Sequence, residues 1–153
     1  MFTIIRDTRE KVGWDFQPDI YCEGMINEKL YPGDYSLRGL EDEFCIERKS
    51  SNTEIARNIV EDRFWREIEV MSKMKWPFLI CEFPYSDLPP YPNNLKLPYW
   101  KKNKIRVKGP FIVSRIQKIQ YEYDIPVIFC RDRKEASEYS YRLMKDIWQS
   151  YQN

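Results

Sequence analysis

Short apolar runs alternate along the chain with longer stretches in which apolar residues recur every three or four positions, and this change of period predicts the elements. Residues 2–6 read as a strand that ends on Asp7-Thr8-Arg9-Glu10. Residues 13–27 show no sustained period and are expected to be irregular, with Trp14 and Phe16 packed on the sheet. Pro32-Gly33 marks a tight turn before a hairpin. Its first strand begins at Asp34, its turn covers residues 39–43, and its return strand covers residues 44–49. Ser51 and Glu54 match a capping box at the head of one long helix, whose core-facing stripe is Ala56, Ile59, Val60, Phe64, Ile68 and Met71. Trp76-Pro77 is expected to stop that helix, and residues 78–82 read as a buried strand with an acid at its end. A second helix opens at Gly109-Pro110 with Ile112, Ile116, Ile119 and Tyr123 on one face. Residues 126–130 are a further buried strand. Asp132 with Glu135 caps a last helix, striped by Ala136, Tyr139, Leu143, Met144, Ile147, Trp148 and Tyr151.

The order strand, hairpin, helix, strand, helix, strand, helix predicts an α/β fold, three layers (α/β/α) around a central mixed sheet. At 153 residues the chain is expected to form a single domain. Residues 83–109 interrupt the order: Pro84, Pro89, Pro90, Pro92 and Pro98 rule out an ordinary helix, and Tyr85, Tyr91, Tyr99 and Trp100 are spread through the segment, which reads as a flap or insertion. Its end carries Lys101, Lys102, Lys104, Arg106 and Lys108 with no acid among them. With Ile105 and Val107 in a short strand, Lys104, Arg106 and Lys108 face one side. Basic residues interleaved with aromatics suit contact with a DNA backbone. A charged edge strand that resists aggregation is the other reading.

Composition narrows the chemistry. The net charge is +1, so any polyanion-binding surface has to come from local clustering. The four cysteines are widely spaced, and three of them lie in apolar, strand-like runs and read as small core residues in a reducing compartment. With no histidine in the chain, Ser-His, Cys-His and His-metal chemistries are excluded. No apolar run approaches membrane-spanning length and the first residues show no signal-peptide pattern, so a soluble, cytoplasmic protein is expected.

The hairpin carries the candidate chemistry. On its return strand Phe44, Ile46 and Arg48 share one face, and Cys45, Glu47 and Lys49 the other. Glu47 and Lys49 thus stand roughly 6.5 to 7 Å apart along the strand. Asp34 arrives from the neighbouring strand. Two carboxylates can hold a hard divalent cation, and an ammonium beside them can position water or neutralise charge on a phosphate. This is the pattern of a metal-dependent phosphodiesterase. Asp7, Arg9 and Glu10 are candidates for the rim, against a solvated turn as the plain alternative. Arg63 or Arg66, on the helix that follows, could reach a phosphate or be merely solvated.

The blocks Ile5-Arg6-Asp7-Thr8-Arg9-Glu10, Gly33-Asp34-Tyr35-Ser36, Ile46-Glu47-Arg48-Lys49-Ser50, Arg63-Phe64 and Leu79-Ile80-Cys81-Glu82 together are more specific. In these blocks and their order the chain resembles the nuclease domain of the XPF family of structure-specific endonucleases. The resemblance implies a restriction-endonuclease-like fold, dependence on magnesium or manganese, and cleavage of branched or forked DNA. Residues and resemblance together assign the metal to Asp34, Glu47 and the backbone carbonyl of Arg48. Lys49 would orient the water or stabilise the pentacovalent phosphate. Asp7 and Glu10 would assist from an outer shell, and Arg9, Arg48 and Arg63 would hold the scaffold or phosphates.

Two features depart from the family pattern. The family places an aspartate three residues after Glu-Arg-Lys, where this chain has Thr53, and the neighbouring Glu54 belongs to the capping box. Nothing in the chain matches the tandem helix-hairpin-helix modules of full-length members, so the domain resembles the small stand-alone versions encoded by bacteriophages, which implies the host cytoplasm. Because family nuclease domains pair through this region, Ile147, Trp148 and Tyr151 predict a homodimer built on the last helix; packing of that stripe on its own sheet is the alternative. A catalytically silent DNA-binding or architectural subunit, and a plain sequence-reading nuclease, stay open as other readings.

Overall fold

A computed structural model describes residues 1–152. Six strands, β1 (Phe2–Arg6), β2 (Cys22–Asn27), β3 (Tyr35–Leu37), β4 (Phe44–Lys49), β5 (Trp76–Cys81) and β6 (Val127–Phe129), form one sheet in the order β2-β1-β3-β4-β5-β6. β3 runs antiparallel to both neighbours, whereas β1 with β2 and β4 with β5 with β6 are parallel. Helices α1 (Asn52–Asn58), α2 (Asp62–Met71) and α4 (Gly109–Tyr121) cover one face, where Ile55, Ile68, Ile112 and Ile116 meet Cys45, Leu79 and Cys81. The short α3 (Tyr99–Lys102) lies in the excursion before α4. α5 (Arg133–Ser150) covers the other face: Ala136, Met144 and Ile147 join Trp14 and Phe16 against Ile4, Tyr35, Ile46 and Ile80. This is the expected three-layer α/β/α fold around a mixed sheet. Alternation along β4 builds it, because Phe44 and Ile46 enter one core and Cys45 the other.

Several elements depart from the sequence pattern. Residues 22–27, expected to be irregular, form the edge strand β2. Gly24 adopts φ +119° close to a register shift against β1, and a glycine inside a strand hides the alternation that would reveal it. The single long helix is two: α1 stops at Asn58, Glu61 is extended, and Val60, assigned to the core stripe, is 60% exposed. β5 starts at Trp76, and Pro77 lies within it instead of stopping a helix that has already ended at Met71. Proline is tolerated there because its missing N–H would point toward β6, which begins only opposite Leu79. β6 itself is a half-buried edge strand of three residues and not a fully buried one.

The excursion at 83–109 is folded back on the domain and does not project as a free flap. Leu88 and Tyr91 are buried in the core under α4, and Gly109 donates its N–H to the Tyr91 carbonyl at 2.8 Å. Only glycine fits at that crossing, since a Cβ on Gly109 would lie 2.2 Å from the carbonyl oxygens of Leu88 and Pro89. Ile105 and Val107 pack against the same core without forming the expected strand, yet Lys104, Arg106 and Lys108 between and beside them are exposed, as the alternation requires.

The aromatic end of α5 is used by the chain's own sheet. Ile147 is buried, Trp148 stacks near Phe2 at 5.6 Å, and Tyr151 accepts from Trp76 Nε1 at 3.2 Å and donates to Glu43. Tyr139 instead faces outward at 39% exposure, and Ser140 takes the buried position in the stripe. The end of the stripe that predicted a homodimer is therefore partly covered within one chain, with Trp148 and Tyr151 half-buried. Among the described residues no helix is long and apolar enough to cross a membrane.

Candidate active site

The C-terminal ends of β1, β4 and β5 reach the same edge of the sheet, and antiparallel β3 starts there, so the side chains just beyond these ends converge. They line a cleft of about 360 Å³ whose walls include Asp7, Glu10, Asp34, Glu47 and Lys49 from the strands and Asn58, Glu61 and Glu67 from α1 and α2. Gly33 sets the approach. It has φ +91°, and a Cβ there would lie 2.8 Å from Cys45 Cβ and 3.2 Å from the Ile46 carbonyl. Only glycine lets the chain run this close to β4. Asp34 then donates its N–H to the Ile46 carbonyl and accepts from the Arg48 N–H through Oδ2, both at 2.8 Å.

Glu47 Oε2 lies 3.0 Å from Lys49 Nζ, which also donates to Asn58 Oδ1 at 2.7 Å and sits 5.1 Å above the Phe64 ring. Burial works to lower the Lys49 pKa, but the charge of Glu47 overrides it, and the group lies well above the ordinary lysine value. Lys49 is thus an ammonium at any physiological pH. Burial would raise Glu47, and the Lys49 charge brings it below the usual range instead. Asp34 is held well above the carboxylate range, first by burial and then by the charges of Glu47 and Glu10. Glu67 is within hydrogen-bonding reach of Glu47 and accepts from the Gly33 N–H at 3.4 Å. Burial and the Glu47 charge push its pKa up to about 8.

On the opposite face of β4, Arg48 ties the site to its scaffold. Its guanidinium bonds Glu10 at 3.2 Å and Glu82 at 2.8 Å and lies 6.0 Å from the Trp14 ring centroid, while Trp14 Nε1 donates to Glu82 at 2.7 Å. Asp7 is nearly buried and accepts from Leu30 N and Arg9 Nε, both at 2.8 Å, and its own N–H donates to the Asp34 carbonyl. Arg9 also reaches the Leu30 carbonyl at 2.9 Å. Asp7 and Arg9 thereby clamp the loop that carries Gly33 and Asp34.

The structure thus brings Asp7, Arg9, Glu10, Asp34, Glu47, Arg48 and Lys49 together, with Arg63 on the rim, 82% exposed and paired loosely to Glu61 at 3.7 Å. Lys101, Lys102, Lys104, Arg106 and Lys108 do not line the cleft. Thr53 is exposed and also outside it, and Glu54 is spent on Ser50, through N at 2.7 Å and Oγ at 3.2 Å. Asn58, Glu61 and Glu67 join the site without having been marked by the sequence pattern. The spacing of Glu54, Asn58 and Glu61 at i, i+4 and i+7 was a polar line readable beside the apolar stripe.

The donor set suits a divalent cation. Asp34 and Glu47 supply hard oxygens, and the Arg48 carbonyl leaves the strand on the same side as the N–H bonded to Asp34. Among the described residues only Glu47 of the Asp34, Glu47 and Glu67 group has an ion-pair partner, so three acids gather around one ammonium in the cleft. Among the same residues, no three acidic or cysteine side chains already stand in ligand positions. The protein therefore offers two carboxylates and a carbonyl, with water to complete a shell.

The three-layer mixed-sheet fold is shared with solved structures of XPF. The chain superimposes with a TM-score of 0.67 on XPF from Aeropyrum pernix in complex with DNA, at 18% identity over 98% of this chain and 66% of that one. A second structure of XPF from the same organism gives 0.63 at 15% identity, covering 99% and 62%. Residues 6–143 match the ERCC4 domain, and the chain belongs to that family as an XPF-family nuclease domain. It is 26% identical to the 3'-flap repair endonuclease Xpf of Saccharolobus solfataricus, across 97% of this chain and 55% of that protein. The chain thus spans about half the length of the curated relative it matches.

Proposed function

We propose that this domain is a metal-dependent DNA endonuclease that hydrolyses phosphodiester bonds in branched or forked DNA. The observation that carries the proposal is the meeting of Asp34, Glu47 and Lys49, the last two ion-paired at 3.0 Å, in one cleft of an ERCC4 domain. The relative named as a 3'-flap repair endonuclease and the neighbour solved with DNA support the substrate class. Magnesium or manganese would be held by Asp34, Glu47 and the carbonyl of Arg48. When bound, such an ion polarises the phosphate and lowers the pKa of a bound water. The protein groups do the rest. Lys49 offers positive charge and hydrogen bonds to an oxygen in the cleft, Asp7 and Arg9 fix the loop that presents Asp34, and Glu10 and Glu82 hold Arg48 straight in β4. A catalytically silent subunit is the second reading, favoured by the exposed Thr53 where the family acid would stand. The purified protein, assayed on duplex, single-stranded, flap and four-way DNA, is expected to cut the branched substrates only when magnesium or manganese is added. Binding without cleavage under both metals would replace the enzyme by the silent subunit.

The DNA backbone would be met by Lys101, Lys102, Lys104, Arg106 and Lys108 on the excursion, where Lys101 and Lys104 flank the exposed Trp100 at 5.3 and 5.4 Å. Neutralising all five is expected to weaken binding and flatten its salt dependence, by about 0.9 in slope for each duplex phosphate that the protein no longer neutralises. An unchanged slope in a salt titration would reduce this run to a solvated edge.

A further inference from the structure

We infer that Glu67 is a third acid of this site, holding the divalent cation through its water shell in place of the acid that Thr53 does not supply; this rests on the nuclease reading above. α1 brings one acid to the cleft wall, Glu54, and its Oε1 is engaged by Ser50. Thr53 is exposed, with its hydroxyl on Asn52 Oδ1 at 3.4 Å, and Glu54 closes the cap on Ser50. The break between α1 and α2 compensates, because it tilts a second helix whose Arg63, Phe64 and Glu67 reach the cleft. There Glu67 stands against Glu47 with only the Gly33 N–H as donor partner and no cation paired to it among the described residues.

Packing gives no reason for that choice. A glutamine at 67 would accept the same N–H from Gly33 and donate to Glu47, without placing a second acid beside it in a half-buried cleft. A local arrangement that costs stability and gains nothing structurally belongs to function. With its carboxyl held against Glu47 and the Gly33 N–H, the acid at 67 acts at one remove, on the water around the ion and not as a direct ligand.

The test is manganese binding by calorimetry, read beside cleavage of a flap substrate and metal-free melting, on wild type, Glu67→Gln, Glu67→Asp and Asp34→Asn. Glu67→Gln is expected to lose about 10- to 100-fold in manganese affinity, the range for outer-shell partners, with cleavage falling in step. Its metal-free melting temperature should stay level or rise, and Glu67→Asp, which keeps the charge, should recover part of the affinity. Glu67→Gln with wild-type affinity, while Asp34→Asn has lost it, would overturn the role of Glu67 and leave the nuclease standing. A fall in melting temperature with affinity unchanged would make Glu67 structural. Wild type that neither binds manganese nor cuts would remove the nuclease reading itself, and this inference with it.

Discussion

Asp34→Asn and Glu47→Gln are each expected to abolish cleavage, a loss of at least about 10³-fold; Asp34→Asn should melt no lower than wild type, whereas Glu47→Gln strands the buried Lys49 ammonium and should melt lower. Loss of a metal-holding carboxylate removes several kcal/mol of transition-state stabilisation, and each ~1.4 kcal/mol is a factor of ten in rate. The fold should survive for reasons visible in the cleft. Asparagine keeps an oxygen for the Arg48 N–H that Asp34 now holds at 2.8 Å, and glutamine keeps one for Lys49 Nζ. Asp34→Asn also removes a buried acid set against Glu47 and Glu10, and repulsion of this kind is relieved when a member is neutralised. Alanine is the poorer probe, because it would orphan the Arg48 N–H, at a cost of about 1–3 kcal/mol. Cleavage assays with thermal melting on the same samples decide the matter: a folded Asp34→Asn protein that cuts at the wild-type rate removes the proposed site.

Period-two patterning made the centre of this site legible and could not reach its edges. Phe44, Cys45 and Ile46 assign the two faces of β4, and the two-residue repeat then puts Glu47 and Lys49 on one side and Arg48 on the other, as found. Gly33 was readable as a turn, though not as the close approach to Cys45 and Ile46 that places Asp34. Glu67 was hidden because the apolar positions from Ala56 to Met71 run on through residues 59–61 as if the helix were unbroken. Asn58, Glu61 and Lys49 fix the break by hydrogen bonds that no periodicity records. β2 was lost to its glycine. The end of α5 shows a third limit: an apolar stripe states that a face is covered and does not state by what, so Trp148 and Tyr151 fit a second subunit in the sequence and the chain's own β1 and β5 in the structure.

Arg48 shows why the acid, the arginine and the lysine have to be consecutive. Strand alternation sends the guanidinium into the layer under α5, where Glu10, Glu82 and Trp14 surround it, while its flanking residues enter the cleft. A rigid buried anchor between two working side chains fixes both with one backbone. Burial of such a charge is tolerable only because it is paired on two sides.

Lys49→Met is expected to lower the cleavage rate by about 10²- to 10⁴-fold with little change in DNA affinity, the range for one charge-stabilising or proton-transferring group. The structure separates those two roles. Glu47 at 3.0 Å holds Lys49 above its ordinary pKa despite burial, which favours charge and orientation over proton transfer as its contribution. Two consequences can be measured. Raising the pH through the neutral range should not reveal a Lys49 deprotonation in the rate profile of wild type, whereas a lysine serving as base would show one. Lys49→Arg, which preserves the charge on a different head group, should recover part of the activity, since Asn58 Oδ1 and Glu47 can both accept from a guanidinium. Stability has to be read alongside. Removing the ammonium leaves Glu47 buried without its partner, and breaking a buried pair costs about 3–5 kcal/mol, so each variant needs a melting curve. If the folded protein loses DNA affinity and keeps its rate at saturation, Lys49 is a phosphate contact and the chemistry rests on the carboxylates alone.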